Sequence, residues 1–176
     1  MIRPSAALVL CEVVMSVAAL GGCADNAPLP AEPTFYQDLA HFDAAVDAAA
    51  AASMISGYRG NNGLPPVTVD PELMRLAGEQ ARTMAAHDKM AHDIGRPFQD
   101  RIRNSPFRGG VAVENISAGY HTLAEAFSGW RDSPPHRANM LNPGVTRLGI
   151  AAVYAPASKY KVFWALILAG PGGRQG

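Results

Sequence analysis

The chain has 176 residues, and its 15 Lys and Arg balance its 15 Asp and Glu, giving no net charge. Basic residues are scattered rather than gathered into a stripe, which argues against a nucleic-acid partner. With 48% hydrophobic residues, the chain is long enough to bury the core of one ordinary domain without staples.

Residues 1–22 have the layout of an export signal. Arg3 supplies a positive start, an apolar run follows from Ala6 to Leu20, and small residues close the segment. A membrane span needs about 20 unbroken apolar residues, whereas Glu12 interrupts this shorter run, so a signal is favoured over a permanent helix. Leu20-Gly21-Gly22-Cys23 resembles the lipobox of bacterial lipoproteins, in which the Cys thiol is acylated and the chain is cut just before it. On this reading Cys23 is the first residue of a mature protein anchored by lipid to the outer face of the bacterial cell membrane. The alternative is ordinary cleavage nearby and secretion, with Cys23 incidental. Cys11 is lost with the signal, leaving Cys23 alone. No disulfide, Cys-based zinc site or cysteine-protease nucleophile is then available within one mature chain. Residues 23–34 follow as a Pro-rich tether, stiffened by the fixed φ of proline.

The domain proper is read as 35–170, with a flexible tail at 171–176. A first helix is predicted from Phe35 to Tyr58 around the Ala-rich stretch Ala44–Ala52, and Gly60-Asn61-Asn62-Gly63 breaks it. The second is better marked: Asp70 caps it, Pro71 takes the first helical position and Glu72 suits the positive end of the dipole. Leu73, Leu76, Ala77, Ala81 and Met84 then recur at helical spacing, and only Gln80 breaks the stripe. A short helical piece is expected at Phe98–Asn104 and a strand at Val111–Ala118. Thr122-Leu-Ala-Glu125 is a capping box for a helix whose buried stripe is Leu123, Phe127 and Trp130. Pro134-Pro135 ends it, and Ser133 is placed as the cap of a short helix through Met140. Asn142-Pro143-Gly144 is a turn. Two strands, Leu148–Tyr154 and Tyr160–Leu168, close the domain as an antiparallel pair. Helices before and between late strands predict an α+β domain, with helices covering a small sheet.

Chemistry-bearing side chains gather in three places: Met84 to Asp93, Val113 to Ile116, and Trp130 to Leu141. His87 suits the end of a helix dipole. Glu114 sits in an otherwise apolar strand, where a buried carboxylate needs a partner; it either faces solvent or pairs with a cation. His87 and His92 are too far apart to share one helix face.

The order of the motifs adds to this reading. Glu114-Asn115-Ile116 comes first, followed by Trp130-x-x-Ser133-Pro134-x-His136-Arg137-x-Asn139-x-Leu141. Next come a Gly149-Ile150-Ala151 strand and an aromatic last strand. Together they resemble the CAP (SCP-like) domain in its bacterial branch. Arg59 with Gly63-Leu64-Pro65-Pro66, Asp70-Pro71-Glu72-Leu73, and Met84 ahead of His92 agree, so the resemblance spans Phe35 to Ala169. It implies an α-β-α sandwich with a small antiparallel sheet covered by helices. It also implies a cleft in which His92 and His136 match the family's histidines and Glu114 its strand glutamate. Asn115 and Ser133 line the same cleft on this reading. Ser133 stands where the animal proteins carry a second glutamate, while Val113 and Pro135 replace glycines, which adds bulk or stiffness nearby.

Three functions are compatible with such a cleft. The resemblance favours a non-catalytic binding module for a cell-envelope lipid, a glycan or another extracellular ligand, needing no cofactor. An alternative is a divalent ion, zinc by preference, held by His92, His136 and Glu114 with an open water position. That would permit hydrolysis of an extracellular or cell-wall substrate. Metal-free hydrolysis by Ser133 with His136 as base lacks an orienting acid and an oxyanion hole. Ser133 is more simply a cap.

Overall fold

The computed structural model describes residues 32–108 and 110–171. The export signal, Cys23, nearly all of the tether and the tail beyond Pro171 lie outside the described residues.

A 3₁₀ turn at Thr34–Tyr36 leads into α1 (Ala48–Gly60), β1 (Thr68–Val69) and α2 (Pro71–Ala86). After these come α3 (Phe98–Arg103), β2 (Ala112–Ala118), α4 (Leu123–Asp132), α5 (Pro134–Met140), β3 (Arg147–Ala155) and β4 (Lys161–Ala169). The strands form one sheet in the order β1-β3-β4-β2. β4 pairs antiparallel with both β2 and β3. The two-residue β1, not foreseen from the sequence, adds in parallel to β3.

Helices cover both faces of this mixed α+β sheet, as the sandwich expectation requires. β4 is central, and its continuous apolar run divides by the two-residue period of a strand. Val162, Trp164, Leu166 and Leu168 join a core with α1, α4 and α5. Phe163, Ala165, Ile167 and Ala169 join the core built on α2. Gly149 makes the second contact close: a Cβ there would lie 2.0 Å from the Leu73 carbonyl carbon. Only glycine lets β3 approach the first turn of α2 this closely.

The local start signals work where they are chemical. Asp70 accepts from the backbone N–H groups of Glu72 and Leu73, and Thr122 and Glu125 form the complete capping box. The first helix is shorter than predicted. It begins at Ala48, because the Asp47 side chain accepts from Ala50 N–H and fixes the entry there.

Candidate functional site

β2 lies at one edge of the sheet, and the side chains of adjacent residues point to opposite faces. Glu114 and Ile116 turn toward α2, whereas Asn115 and Ser117 turn toward α4 and α5. The residues expected in one cleft therefore straddle the free edge of β2.

On the α2 side, Glu114 is the hub. Its side chain is only 1% exposed, so it requires compensation. His92 Nδ1 lies 2.8 Å from Oε2, and Arg101 Nη2 donates to Oε1 at 2.8 Å and to Oε2 at 3.0 Å. An ionised carboxylate only accepts, so the Nδ1 contact is one in which Nδ1–H of His92 donates to Glu114 Oε2. Arg101 also donates to the backbone carbonyls of His92 and Arg96 and stands over the Phe98 ring. One guanidinium thus joins α3, the loop bearing His92 and the strand glutamate. The sequence left Glu114 either facing solvent or paired with a cation; the second holds, and the cation is Arg101, which the sequence did not name. Gln80 holds the same loop by donating to Ala91 O at 2.7 Å, which accounts for the break in the α2 stripe. His87 meets Thr83 O at the end of α2, away from the hub, in keeping with its dipole reading.

On the other side, Asn115 is fully buried and donates to the His136 carbonyl at 3.0 Å. Asn139 Nδ2 donates to Asn115 Oδ1 at 2.8 Å and to the Glu114 carbonyl at 3.2 Å. These bonds fasten α5, and with it His136, to β2. Ser133 takes the cap position of α5, but contrary to expectation its hydroxyl makes no capping hydrogen bond. The reason lies in the next residues. Proline at the first two helical positions removes the second-position N–H, one of the two a cap can serve.

Ser133, His136, Ser117, Tyr120 and Trp130 enclose a pocket of about 220 Å³. Of these residues, Ser117 Oγ and Trp130 Nε1 are buried away from the pocket surface, without a hydrogen-bond partner among the described residues. Wider hollows near residues 33–54 include none of these side chains.

Burial holds His136 below the usual histidine pKa, and the nearby His92 pushes in the same direction. The unfolded chain therefore binds a proton that the folded chain resists. The stability linked to neutral His136 is present above about pH 6.5 and is lost as the pH falls through that value toward the lower folded pKa. A thermal-melt series from pH 7.5 to 5 should show the midpoint falling less in His136→Gln than in the wild type. Parallel curves would show that His136 does not carry this linkage.

The three residues expected to hold a metal are not gathered as a ligand set. Among the described residues, no group of three His, Cys, Asp or Glu side chains could hold an ion. Both Glu114 oxygens are engaged by Arg101 and His92, and His136 projects from the far side of the edge strand. Glu114 fits better as the carboxylate that orients a histidine from behind than as a direct ligand.

The family model described as CAP, the cysteine-rich secretory protein family, matches residues 52–168. The uncharacterized protein YkwD of Bacillus subtilis (strain 168) is 29% identical over 133 residues, covering 74% of this chain and 51% of that protein. The chain thus spans about half the length of that curated relative. An extracellular protein containing an SCP domain from Bacillus anthracis str. Ames shares the fold with a TM-score of 0.61 at 23% identity, over 69% of this chain and 39% of that one. An outer surface protein of Borrelia burgdorferi does so with a TM-score of 0.63 at 17% identity, over 73% of this chain and 98% of that one. The matched stretch runs from α1 into β4 and takes in His92, Arg101, Glu114 and His136, so the chain belongs to the CAP family of cysteine-rich secretory proteins.

Proposed function

We propose that this protein works outside the cytoplasm as a binding domain, anchored by lipid at Cys23, and that its ligand seat lies in the cleft around the free edge of β2. The ligand is an uncharged envelope or extracellular molecule. The observation that carries this reading is the pocket of about 220 Å³ lined by Ser117, Tyr120, Trp130 and His136 together with Ser133, whose hydroxyl makes no capping bond. No Asp, Glu, Lys or Arg lines the pocket, which favours an uncharged ligand. The extracellular and outer-surface descriptions of the Bacillus anthracis and Borrelia burgdorferi proteins support the location. No helix among the described residues is long and apolar enough to cross a membrane.

The test uses the full chain with Cys23→Ser, which should leave the membrane fraction and remain folded. Mass spectrometry of that form, isolated from an envelope-containing host, should reveal a co-purifying small molecule. Adding Ser133→Trp, which plugs the pocket from its partly exposed rim, should empty it. Retention of Cys23→Ser on the membrane would count against the anchor. Equal ligand content in the plugged form would count against the pocket.

A further inference from the structure

The hydrogen-bonding direction of β2 decides what its edge offers. Gly170 N–H donates to Val111 O and Gly119 N–H donates to Val162 O, so Val111 and Gly119 turn their backbone groups toward β4. The Glu114 carbonyl instead receives Asn139 Nδ2 from outside the sheet. In an antiparallel strand both backbone groups of a residue point the same way, and the direction alternates. Ala112, Glu114, Ile116 and Ala118 therefore present N–H and C=O to the free edge. Helix α5 covers that edge at Glu114 through Asn139. Beyond it, the groups of Ile116 and Ala118 find no partner among the described residues, although Ile116 is only 4% exposed. Both residues line the pocket of Ser117, Trp130 and His136.

Uncovered edges are ordinarily blunted by charge, proline or a bulge. This one is uncharged, and it borders the pocket lined by Ser117, Trp130 and His136. We infer that the segment Ile116–Ala118 is a docking edge for an extended peptide, which adds to the sheet as a short strand and seats one uncharged side chain in the pocket. The inference rests on the binding reading above and names its ligand class. Strand addition supplies alternating main-chain hydrogen bonds along the edge, and a pocket beside it reads one side chain. At about 220 Å³ the pocket is smaller than the roughly 300–1,000 Å³ of a site for a whole drug-sized ligand. It suits a single side chain, with the rest of the peptide running over the surface. Met90, also in the lining and 51% exposed, gives that side chain an apolar contact.

The full chain carrying Cys23→Ser is titrated with a pool of acetylated, amidated tetrapeptides of uncharged residues, and separately with N-acetylglucosamine tetramer. Amide resonances and hydrogen exchange are followed by NMR. Peptide should move the Ile116 and Ala118 amides downfield and slow their exchange at least about tenfold, the signature of newly made main-chain bonds. Ala118→Pro removes an edge-facing N–H without removing a ladder bond, a position where proline is tolerated. It should keep the melting midpoint near that of the wild type and weaken peptide binding at least about tenfold. Should that variant misfold, Ser133→Trp gives the same reading through the pocket. If the sugar binds in the pocket and peptide does not, the peptide inference falls and the binding reading stands. Neither probe moving these amides overturns the docking edge, and an empty protein in the mass-spectrometric test removes the binding reading with it. Peptide binding unchanged in both variants also overturns the inference.

Discussion

Arg59→Met is expected to lower the stability of the domain by about 4 kcal/mol, a large share of the roughly 5–15 kcal/mol available to a protein of this kind. The arginine is fully buried in α1. Its Nε donates to Pro65 O, Nη1 to Met140 O and Asn142 O, and Nη2 to Val145 O, at 2.8 to 2.9 Å. No carboxylate accompanies it in this set, and burial lowers its pKa from the usual arginine value. Two effects oppose each other on replacement. Removing the cation relieves its desolvation, but it leaves the carbonyls of Pro65, Met140 and Val145 without a donor, each at a cost of about 1–3 kcal/mol when buried, while Asn142 O keeps the Val145 N–H. The second effect wins because the carbonyls belong to loops that cannot pair with one another. Lysine offers a compact point charge in place of a planar fork, so Arg59→Lys should lose less than Arg59→Met but still be clearly destabilised. Calorimetric melting checks this, with a fall of roughly 15 °C for Arg59→Met. A change below about 1 kcal/mol would show that the carbonyl clamp is not what Arg59 contributes. The consequence reaches the cleft. Three of the four carbonyls lie at the end of α5 and in the turn into β3, so the same arginine sets where His136 and Asn139 meet β2.

Local chemistry made part of this fold legible. Asp70-Pro71-Glu72 and Thr122-x-x-Glu125 announce helix starts through hydrogen bonds made within a few residues, and both start where expected. The Ala-rich stretch fixed only a propensity, which runs past the true boundary; Asp47 decides the boundary through its cap. β1 carried no signal, because two residues become a strand only by pairing with β3 far along the chain. The site divides in the same way. Glu114 was recognisable as a residue that needs a cation if it is buried, since burial makes that demand wherever the partner lies. Arg101 was not, because its reach depends on how α3 and the His92 loop fold back over β2. The two-residue period of the strand already implied that Glu114 and Asn115 face opposite sides. That alternation explains why His92, Glu114 and His136 approach one edge without forming one ligand ring. Gln80 announced itself as a flaw in the stripe, and its use became visible only with the Ala91 carbonyl beside it.

The Glu114 hub gives the second large effect. Arg101→Ala should cost about 3 kcal/mol or more, because removing one partner of a buried ion pair strands the other. His92 remains beside Glu114 at 2.8 Å, but its ring is 53% exposed and cannot keep water from the carboxylate as Arg101 does from its nearly buried position. Arg101 also donates to two carbonyls of the His92 loop, so its loss should loosen that loop and raise exchange at the His92 amide. Replacing both members, Arg101→Met with Glu114→Leu, removes the stranded charge. That double variant should recover a substantial part of the loss, since an apolar pair of similar volume avoids both desolvation penalties. Urea titration of the two single variants and the double gives the coupling directly. Additive losses would mean that the two residues act independently. A positive coupling with restored stability but a still mobile His92 would separate the two jobs. The ion pair would then be less a source of stability than the device that fixes the histidine ring at the edge of β2.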